Sequence, residues 1–184
     1  MNHYGKKIVV VTGSPRQNGN SNTMADHFMK AVEKKGHTVI RFDAAALKID
    51  GCGACNMCYK NGHVCTHDDD FIPVAQAIAS ADGIVFASPI YWGDISAQLK
   101  LVIDRMYSFI VGGKNVSGKD CALICCCEDP DISSMDIVSD LFMRMAQRLG
   151  WNVVGEVLIP GGLNVGDIEK TSGCDDAAYL ADAF

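Results

Sequence analysis

Short apolar runs alternate with amphipathic stretches along this chain, and this alternation constrains its fold more than any other feature. The apolar runs predict strands over Lys7–Thr12, Thr38–Asp43, Gly83–Ala87, Asp120–Cys126 and Asn152–Ile159. Helical patterns cover Asn22–Lys35, Asp69–Ser80, Ile95–Phe109 and Ser133–Leu149, with a short one over Asp175–Phe184. Such alternation favours parallel strands joined by right-handed crossovers. We therefore expect an α/β fold in which helices cover both faces of an open, doubly wound sheet.

Length and charge limit the range of functions. The 184 residues are 48% apolar, which suits one globular domain over residues 1–184. The formal charge is −6, and no basic cluster exceeds Lys34-Lys35, so we expect neither nucleic acid nor a membrane surface as a partner. The first predicted strand leaves no room for a signal peptide, and no apolar run approaches the roughly 20 residues that span a bilayer. We expect a cytoplasmic protein.

Residues 13–23 form a polar, glycine-containing loop between the first predicted strand and helix. Small residues let backbone N–H groups approach an anion, and Arg16 adds a forked cationic donor. The spacing of Gly13 and Gly19 matches neither the dinucleotide fingerprint nor a Walker loop, which favours a single phosphate as the ligand. The same composition is also typical of a turn that only caps a helix.

A second loop, Ser88-Pro89-Ile90-Tyr91-Trp92-Gly93, follows the third predicted strand. Ligands of open α/β sheets bind beyond the carboxyl ends of the strands, where the strand order reverses, so this loop should meet the phosphate loop. Two large aromatic rings there suit a planar heteroaromatic ligand. The alternative is that Tyr91 and Trp92 pack under a loop or at a subunit contact.

These motifs together resemble a known family. Its members are the flavodoxin-like NADPH-dependent FMN reductases and their iron-sulfur flavoprotein relatives, and the resemblance runs from Lys7 to Ile159. It is carried by Gly13-Ser14-Pro15-Arg16, Gly19-Asn20, the hexapeptide 88–93, Ser96, Leu99-Lys100 and Asp104-Arg105. The resemblance implies a five-stranded parallel sheet of order 2-1-3-4-5.

The resemblance also implies a cofactor, FMN, and the residues that bind it. The phosphate is assigned to Ser14, Arg16, Asn20, Ser21, Asn22 and Thr23. The isoalloxazine is assigned to Pro89, Ile90, Tyr91, Trp92 and Gly93, with Glu128 in the turn after the fourth strand. The implied activity is electron transfer from NAD(P)H through FMN to a quinone, flavin or other acceptor, without a catalytic side chain. A homodimer or homotetramer is implied as well.

A cysteine motif is the second strong signal. Nine cysteines occur in the chain, and four of them have the spacing Cys52-x2-Cys55-x2-Cys58-x6-Cys65. Spacings of two residues gather thiolates around one small volume, as iron-sulfur and zinc sites both require. Three interpretations stay open: a [4Fe-4S] cluster, metal-free thiols at the flavin edge or a subunit contact, and zinc.

Other functions remain open beside the reductase. One is an iron-sulfur flavoprotein that carries electrons between a ferredoxin-like donor, a cluster and FMN. Another is a flavodoxin-type carrier without a nicotinamide site, and a third is a zinc-stabilised interaction module. Asp68, Asp69 and Asp70 are interpreted as stabilising the start of the following helix, and Lys100 and Asp104 as a surface pair at i, i+4.

Overall fold

The computed structural model describes residues 5–184, so the first four residues of the predicted domain 1–184 lie outside the described residues. The strands are β1 (Lys7–Thr12), β2 (Thr38–Asp43), β3 (Gly83–Tyr91), β4 (Asp94–Ile95), β5 (Asp120–Cys126) and β6 (Asn152–Ile159). The α-helices are α1 (Asn20–Lys34), α2 (Phe71–Ser80), α3 (Ala97–Arg105), α4 (Tyr107–Val111), α5 (Asp136–Leu149) and α6 (Gly173–Leu180). Short 3-10 turns cover Ala44–Ala46, Lys60–Gly62, Ile132–Met135, Asp167–Lys170 and Ala181–Ala183.

Five strands form a parallel sheet in the order β2-β1-β3-β5-β6. Counted along the chain without the two-residue β4, this is the expected order 2-1-3-4-5, and the flavodoxin-like fold is confirmed. The run Ile8–Val11 in β1 is fully buried. A central parallel strand is covered on both faces, so continuous β-branched residues suit it better than an alternating pattern.

Helices cover both faces of the sheet, as predicted. On one face α1 and α6 pack through Phe28 and Ala177 against residues such as Ile124 of β5. On the other face α2, α3 and α5 pack against Phe86 and Leu123. Among residues 5–184, no helix has both the length and the apolar character that a membrane crossing requires.

The third strand is longer than predicted. Its sequence predicted an end at Ala87, but β3 continues to Tyr91, and Ser88 and Pro89 stay in register with Cys125 and Cys126 of β5. Beyond the sheet, Ile90 and Tyr91 pair with the antiparallel β4. The hexapeptide is therefore the end of a strand and the turn of a hairpin, rather than a free loop.

Several helix boundaries also differ from the prediction. Helix α1 begins at Asn20 instead of Asn22, because Gly19 is extended (φ −67°, ψ 152°) and the helix starts directly after it. The helix predicted over 95–109 is divided at Met106 into α3 and α4. Helix α5 begins at Asp136, after the 3-10 turn that starts at Ile132, and α6 begins at Gly173 rather than at Asp175.

Candidate functional site

A cavity of about 690 Å³ lies beyond the carboxyl ends of β1, β3, β5 and β6. Most of the predicted cofactor-binding residues line it: Ser14, Arg16, Asn20, Ser21, Pro89, Ile90, Tyr91, Trp92 and Glu128. The phosphate loop and the aromatic hairpin are thus brought together at the edge of the sheet where the strand order reverses, as the sequence predicted.

One end of the cavity is built to receive an anion. Helix α1 starts there, and the N–H groups of its first turn have no intrahelical partner. Its N-cap residue, Gly19, has no side chain that could accept a hydrogen bond from them. The Ser21 hydroxyl is buried and has no hydrogen-bond partner within the described residues. Gly19 keeps the loop tight, since a Cβ there would lie 2.5 Å from the Ser14 hydroxyl. N–H donors at the positive end of a helix and an unpartnered hydroxyl together favour a phosphate group.

The loop itself is held by its own polar side chains. The Asn22 amide donates hydrogen bonds to the carbonyls of Arg16 (2.9 Å) and Gln17 (3.2 Å). The Thr23 hydroxyl donates to the carbonyl of Gly19 at 3.3 Å. Asn22 and Thr23 are not among the residues that line the cavity. Their contacts in this structure shape the loop.

Asn20 joins the phosphate loop to the segment after β6. Its amide nitrogen donates to the carbonyls of Asn164 (2.9 Å) and Gly162 (3.3 Å), and its carbonyl oxygen accepts from the N–H of Gly166 at 3.1 Å. The side chain of this predicted phosphate ligand is therefore occupied by the protein. Its backbone N–H, at the start of α1, still lies at the anion-binding end.

The opposite end of the cavity is the hairpin formed by β3 and β4. Trp92 sits at the turn with its side chain fully exposed and a left-handed backbone (φ 53°), and Tyr91 beside it is 45% exposed. Gly93 completes the turn at φ 78° and does not line the cavity. A large apolar ring held in solvent on a strained turn is typical of a ligand-binding or interaction surface.

Segments after β5 and β6 form the third wall, and the part of this wall that follows β6 was not predicted. Cys126, Cys127, Gly162 and Leu163 line the cavity beside Glu128. The Gly162 N–H donates to the Cys127 carbonyl at 2.7 Å, which joins the two segments. The pair Gly161-Gly162 follows the fifth predicted strand after one proline. It could have indicated this part of the wall, because it lies at the same carboxyl edge of the sheet.

Burial keeps the Cys126 thiol protonated. Desolvation, reinforced by the charge of the neighbouring Cys127, raises the pKa of Cys126 to about 12. Desolvation likewise raises the pKa of Cys125, on the preceding residue, well above its usual value. Near neutral pH Cys126 acts as a small apolar group of the wall, and Cys125 as one of the core, rather than as thiolate nucleophiles.

The clustered cysteines lie on a separate loop between the 3-10 turn after β2 and helix α2. Cys52 and Cys55 are exposed, whereas Cys58 and Cys65 are half-buried. Burial, followed by the charges of Cys65, Cys55 and Cys52, raises the pKa of Cys58.

The spacing of these sulfurs tests the zinc interpretation. Zn–S bonds of about 2.3 Å place tetrahedral ligands about 3.8 Å apart. Within residues 5–184, no three cysteine sulfurs lie within 4.8 Å of one another. A mononuclear zinc site would require this loop to contract. Among the described residues, one group of histidine, cysteine and carboxylate side chains has its ligand atoms within 4.8 Å of one another: Asp50, His67 and Asp69. Both oxygens of Asp69 already accept hydrogen bonds from Arg105.

The backbone of the cysteine loop suits a larger anionic group. Ala54, Asn56 and Tyr59 have left-handed backbones (φ 50°, 55° and 56°) and alternate with the cysteines. Left-handed residues are one element of the concave nests of N–H groups that hold anions at many iron-sulfur sites. The four thiols and this backbone fit a cluster better than they fit a single ion.

Comparisons with known proteins agree with this geometry. The family model described as NADPH-dependent FMN reductase matches residues 6–162. An iron-sulfur flavoprotein of Methanocaldococcus jannaschii is 33% identical over 106 residues, which are 58% of this chain and 54% of that protein. An iron-sulfur flavoprotein of Archaeoglobus fulgidus is 34% identical over 103 residues, 56% of this chain and 46% of that protein. The chain thus spans about half the length of these curated relatives.

Among solved structures, an azoreductase of Bacillus anthracis has a similar fold. The TM-score is 0.76 at 19% identity, and the match covers 97% of this chain and 100% of the other.

Proposed function

Since this chain belongs to the NADPH-dependent FMN reductase family, we propose that it is an FMN-dependent oxidoreductase that transfers electrons from NAD(P)H to a quinone, a flavin or another acceptor. The observation that carries this proposal is the single cavity that joins an anion-binding helix end to an aromatic hairpin. FMN has the matching chemistry, with a phosphate at one end and a planar ring at the other.

The phosphate end fits the cofactor through specific atoms. The buried, unpartnered Ser21 hydroxyl and the first-turn N–H groups of α1 supply neutral donors. Arg16 is exposed and supplies charge, and its guanidinium also donates to the Leu163 carbonyl at 3.3 Å. We assign the phosphate to Ser14, Arg16 and Ser21, with Asn20, Asn22 and Thr23 holding the loop in place.

The ring end fits an isoalloxazine. Pro89, Ile90, Tyr91 and Trp92 form one wall with Gly93 at the turn, and Cys127 and Glu128 line the same cavity. When bound, FMN supplies hydride acceptance and electron release, so the residues around it bind, orient and desolvate. No side chain is assigned as an essential acid or base.

A flavin titration followed by turnover tests this function. We expect the chain to bind FMN stoichiometrically and to oxidise NADH or NADPH in the presence of a quinone under anaerobic conditions. Absence of measurable FMN binding would overturn the proposal. FMN binding without NAD(P)H oxidation, across quinone, flavin and dye acceptors, would favour a flavodoxin-type carrier instead.

The cysteine loop favours a second candidate function, an iron-sulfur flavoprotein. The four thiols, the left-handed residues between them and the names of the curated relatives support it. In this function Cys52, Cys55, Cys58 and Cys65 would hold a [4Fe-4S] cluster, which would supply electron transfer between a ferredoxin-like donor and FMN. Iron and sulfide analysis of anaerobically purified protein separates the two candidates, since a simple reductase contains neither.

We also propose that the chain assembles with copies of itself. Ile137 and Leu141 on α5 are exposed apolar residues near the hairpin turn, which supports a homodimer or homotetramer. Gel filtration with light scattering measures the assembly, and a monomer with full activity would contradict it.

The nine free thiols support a reducing compartment such as the cytoplasm.

A further inference from the structure

One buried side chain joins the two ends of the loop that carries the clustered cysteines. Arg105, the last residue of α3, is 1% exposed. Its Nη1 donates to the carbonyl of Asp50 and to Oδ2 of Asp69, both at 2.8 Å. Asp50 lies just before Cys52, and Asp69 lies just after Cys65. A single guanidinium therefore closes the loop at its base.

The carboxylate of Asp69 completes this closure. It accepts a second bond from Arg105, from Nη2 at 3.1 Å, and further bonds from the N–H groups of Asp50 (3.1 Å) and Phe71 (3.2 Å). The guanidinium also lies over the Phe71 ring, 4.6 Å from its centroid. A forked, nearly buried ion pair fixes direction as well as distance, which a single contact does not.

One nitrogen of this guanidinium remains without a partner. Arg105 Nε is buried and makes no hydrogen bond within the described residues. Burial opposes the charged form, but the bonds to Asp69 and the neighbouring Cys65 sulfur outweigh it and raise the pKa of Arg105. A guanidinium keeps its charge at any physiological pH, and the Cys65 sulfur is close enough to interact with it.

We propose that Arg105 is a positioning residue for the cysteine loop, which it closes at its base while placing a fixed positive charge beside the sulfur of Cys65. This rests on the proposed iron-sulfur function. Gathering thiolates and a cluster in one loop concentrates negative charge, and a buried cation reduces that repulsion. Charge and hydrogen bonding near the sulfurs also set the reduction potential of such a cluster.

Hydrogen exchange tests the loop closure without any metal. Arg105→Gln removes the charge and the fork, Arg105→Lys keeps the charge, and Lys100→Gln is the control, because Lys100 lies on the same helix in an exposed pair with Asp104. In the metal-free full-length chain we expect exchange at backbone amides of residues 51–68 to be at least tenfold faster in Arg105→Gln. Wild-type exchange in that variant would overturn the closure. Asp69→Asn provides a second, milder variant if Arg105→Gln does not fold.

Anaerobic reconstitution with ferrous iron and sulfide tests the role toward the cluster. We expect the wild type to retain about four irons per chain, Arg105→Gln to lose iron to a chelator at least tenfold faster, and its midpoint potential to fall. Arg105→Lys should keep a potential closer to that of the wild type, and Lys100→Gln should match it. Equal potentials and equal iron loss in all four proteins would overturn the proposal.

The two measurements separate two kinds of failure. If the wild type takes up no iron, the cluster of the second candidate function is wrong, and the role of Arg105 toward a cluster is wrong with it. The exchange experiment then still decides whether Arg105 closes the loop. If the wild type takes up iron and the variants behave like it, the cluster stands and the role of Arg105 is wrong.

Discussion

The Ser96 hydroxyl donates a 2.7 Å hydrogen bond to the carbonyl of Gly13, 83 residues earlier in the chain. Ser96 is fully buried, and its own N–H donates to the Ser88 hydroxyl at 2.9 Å. Its hydroxyl also accepts from Leu99 N at 3.4 Å, at the start of α3. One serine thus joins the phosphate loop, the hairpin strand and a helix N-terminus, so the two ends of the proposed FMN site are held in fixed relation.

Ser96→Ala should weaken both the fold and the site. The Gly13 carbonyl and the first turn of α3 lose a partner, and an unpaired buried polar group costs about 1–3 kcal/mol. We expect the free energy of unfolding to fall by about that amount in a urea titration, and the FMN dissociation constant to rise roughly tenfold, equivalent to about 1.4 kcal/mol. Ser117→Ala is the control, since Ser117 is exposed and precedes β5, at the opposite edge of the sheet. Equal effects of the two variants would contradict this role for Ser96.

Gly13 is expected to tolerate no side chain. A Cβ there would lie 2.8 Å from the Cβ of Leu99 and would also overlap the Ser96 hydroxyl. Overpacking of this kind costs about 1–3 kcal/mol, so Gly13→Ala should lower both the thermal midpoint and FMN affinity. Gly51→Ala is the matched control, because its nearest neighbour would be Leu101 at 3.9 Å. Thermal unfolding compares the two variants, and a Gly13→Ala protein as stable as Gly51→Ala would contradict the close approach.

The sheet could be predicted from the sequence because each strand is encoded by residues that are neighbours along the chain. Runs such as Ile8–Val11 are continuous and β-branched, which is what a strand covered on both faces needs. The phosphate loop and the hairpin were found for a related reason: each follows a strand, and the carboxyl ends of parallel strands meet at one edge. Position along the strands was therefore enough to predict that they share a cavity.

Long-range polar contacts were not accessible to the same reasoning. Asn20 looked like a phosphate ligand, but its amide binds Asn164, 144 residues away. Arg105 directly follows the predicted surface pair Lys100–Asp104 on the same helix, yet it is buried and binds Asp69, 36 residues earlier. Spacing on one helix predicts which side chains are neighbours along it. It does not predict which loop will cover them.

Arg16 should contribute to the affinity for FMN and little to kcat. It is exposed, so Arg16→Ala leaves the fold intact, and it loses a charge-assisted bond to phosphate of about 1.5–3 kcal/mol. We expect the FMN dissociation constant to rise roughly 10- to 100-fold while kcat at saturating FMN changes little. Lys30→Ala, an exposed cation further along α1, is the control. Unchanged FMN affinity in Arg16→Ala would remove Arg16 from the phosphate site.

Cys55 should react with a thiol reagent well before Cys126. The Thr66 hydroxyl, 3.5 Å from its sulfur, lowers the pKa of Cys55, whereas burial raises that of Cys126 to about 12. A lower pKa means a larger thiolate fraction at pH 7.5, and thiolate is the reactive form. Mass spectrometry of metal-free protein after brief iodoacetamide treatment should show Cys55 modified well before Cys126. Thr66→Val should slow the reaction at Cys55, and an unchanged rate there would mean that the hydroxyl is not responsible.

Trp92 should show a trade-off between stability and binding. Its left-handed backbone (φ 53°) is strained for any residue with a Cβ, by about 1–2 kcal/mol, and its fully exposed side chain contributes little packing. Trp92→Gly removes that strain at a cost of about 0.5–1 kcal/mol in chain entropy, so the free energy of unfolding should stay the same or rise by up to about 1.5 kcal/mol. FMN affinity should fall, because the ring wall of the cavity is lost.

Trp92→Phe keeps both the strain and a flat ring and should retain most of the affinity. Urea unfolding and FMN titration of the two variants check this, and a Trp92→Gly protein that is less stable yet binds FMN normally would show that Trp92 serves the fold instead.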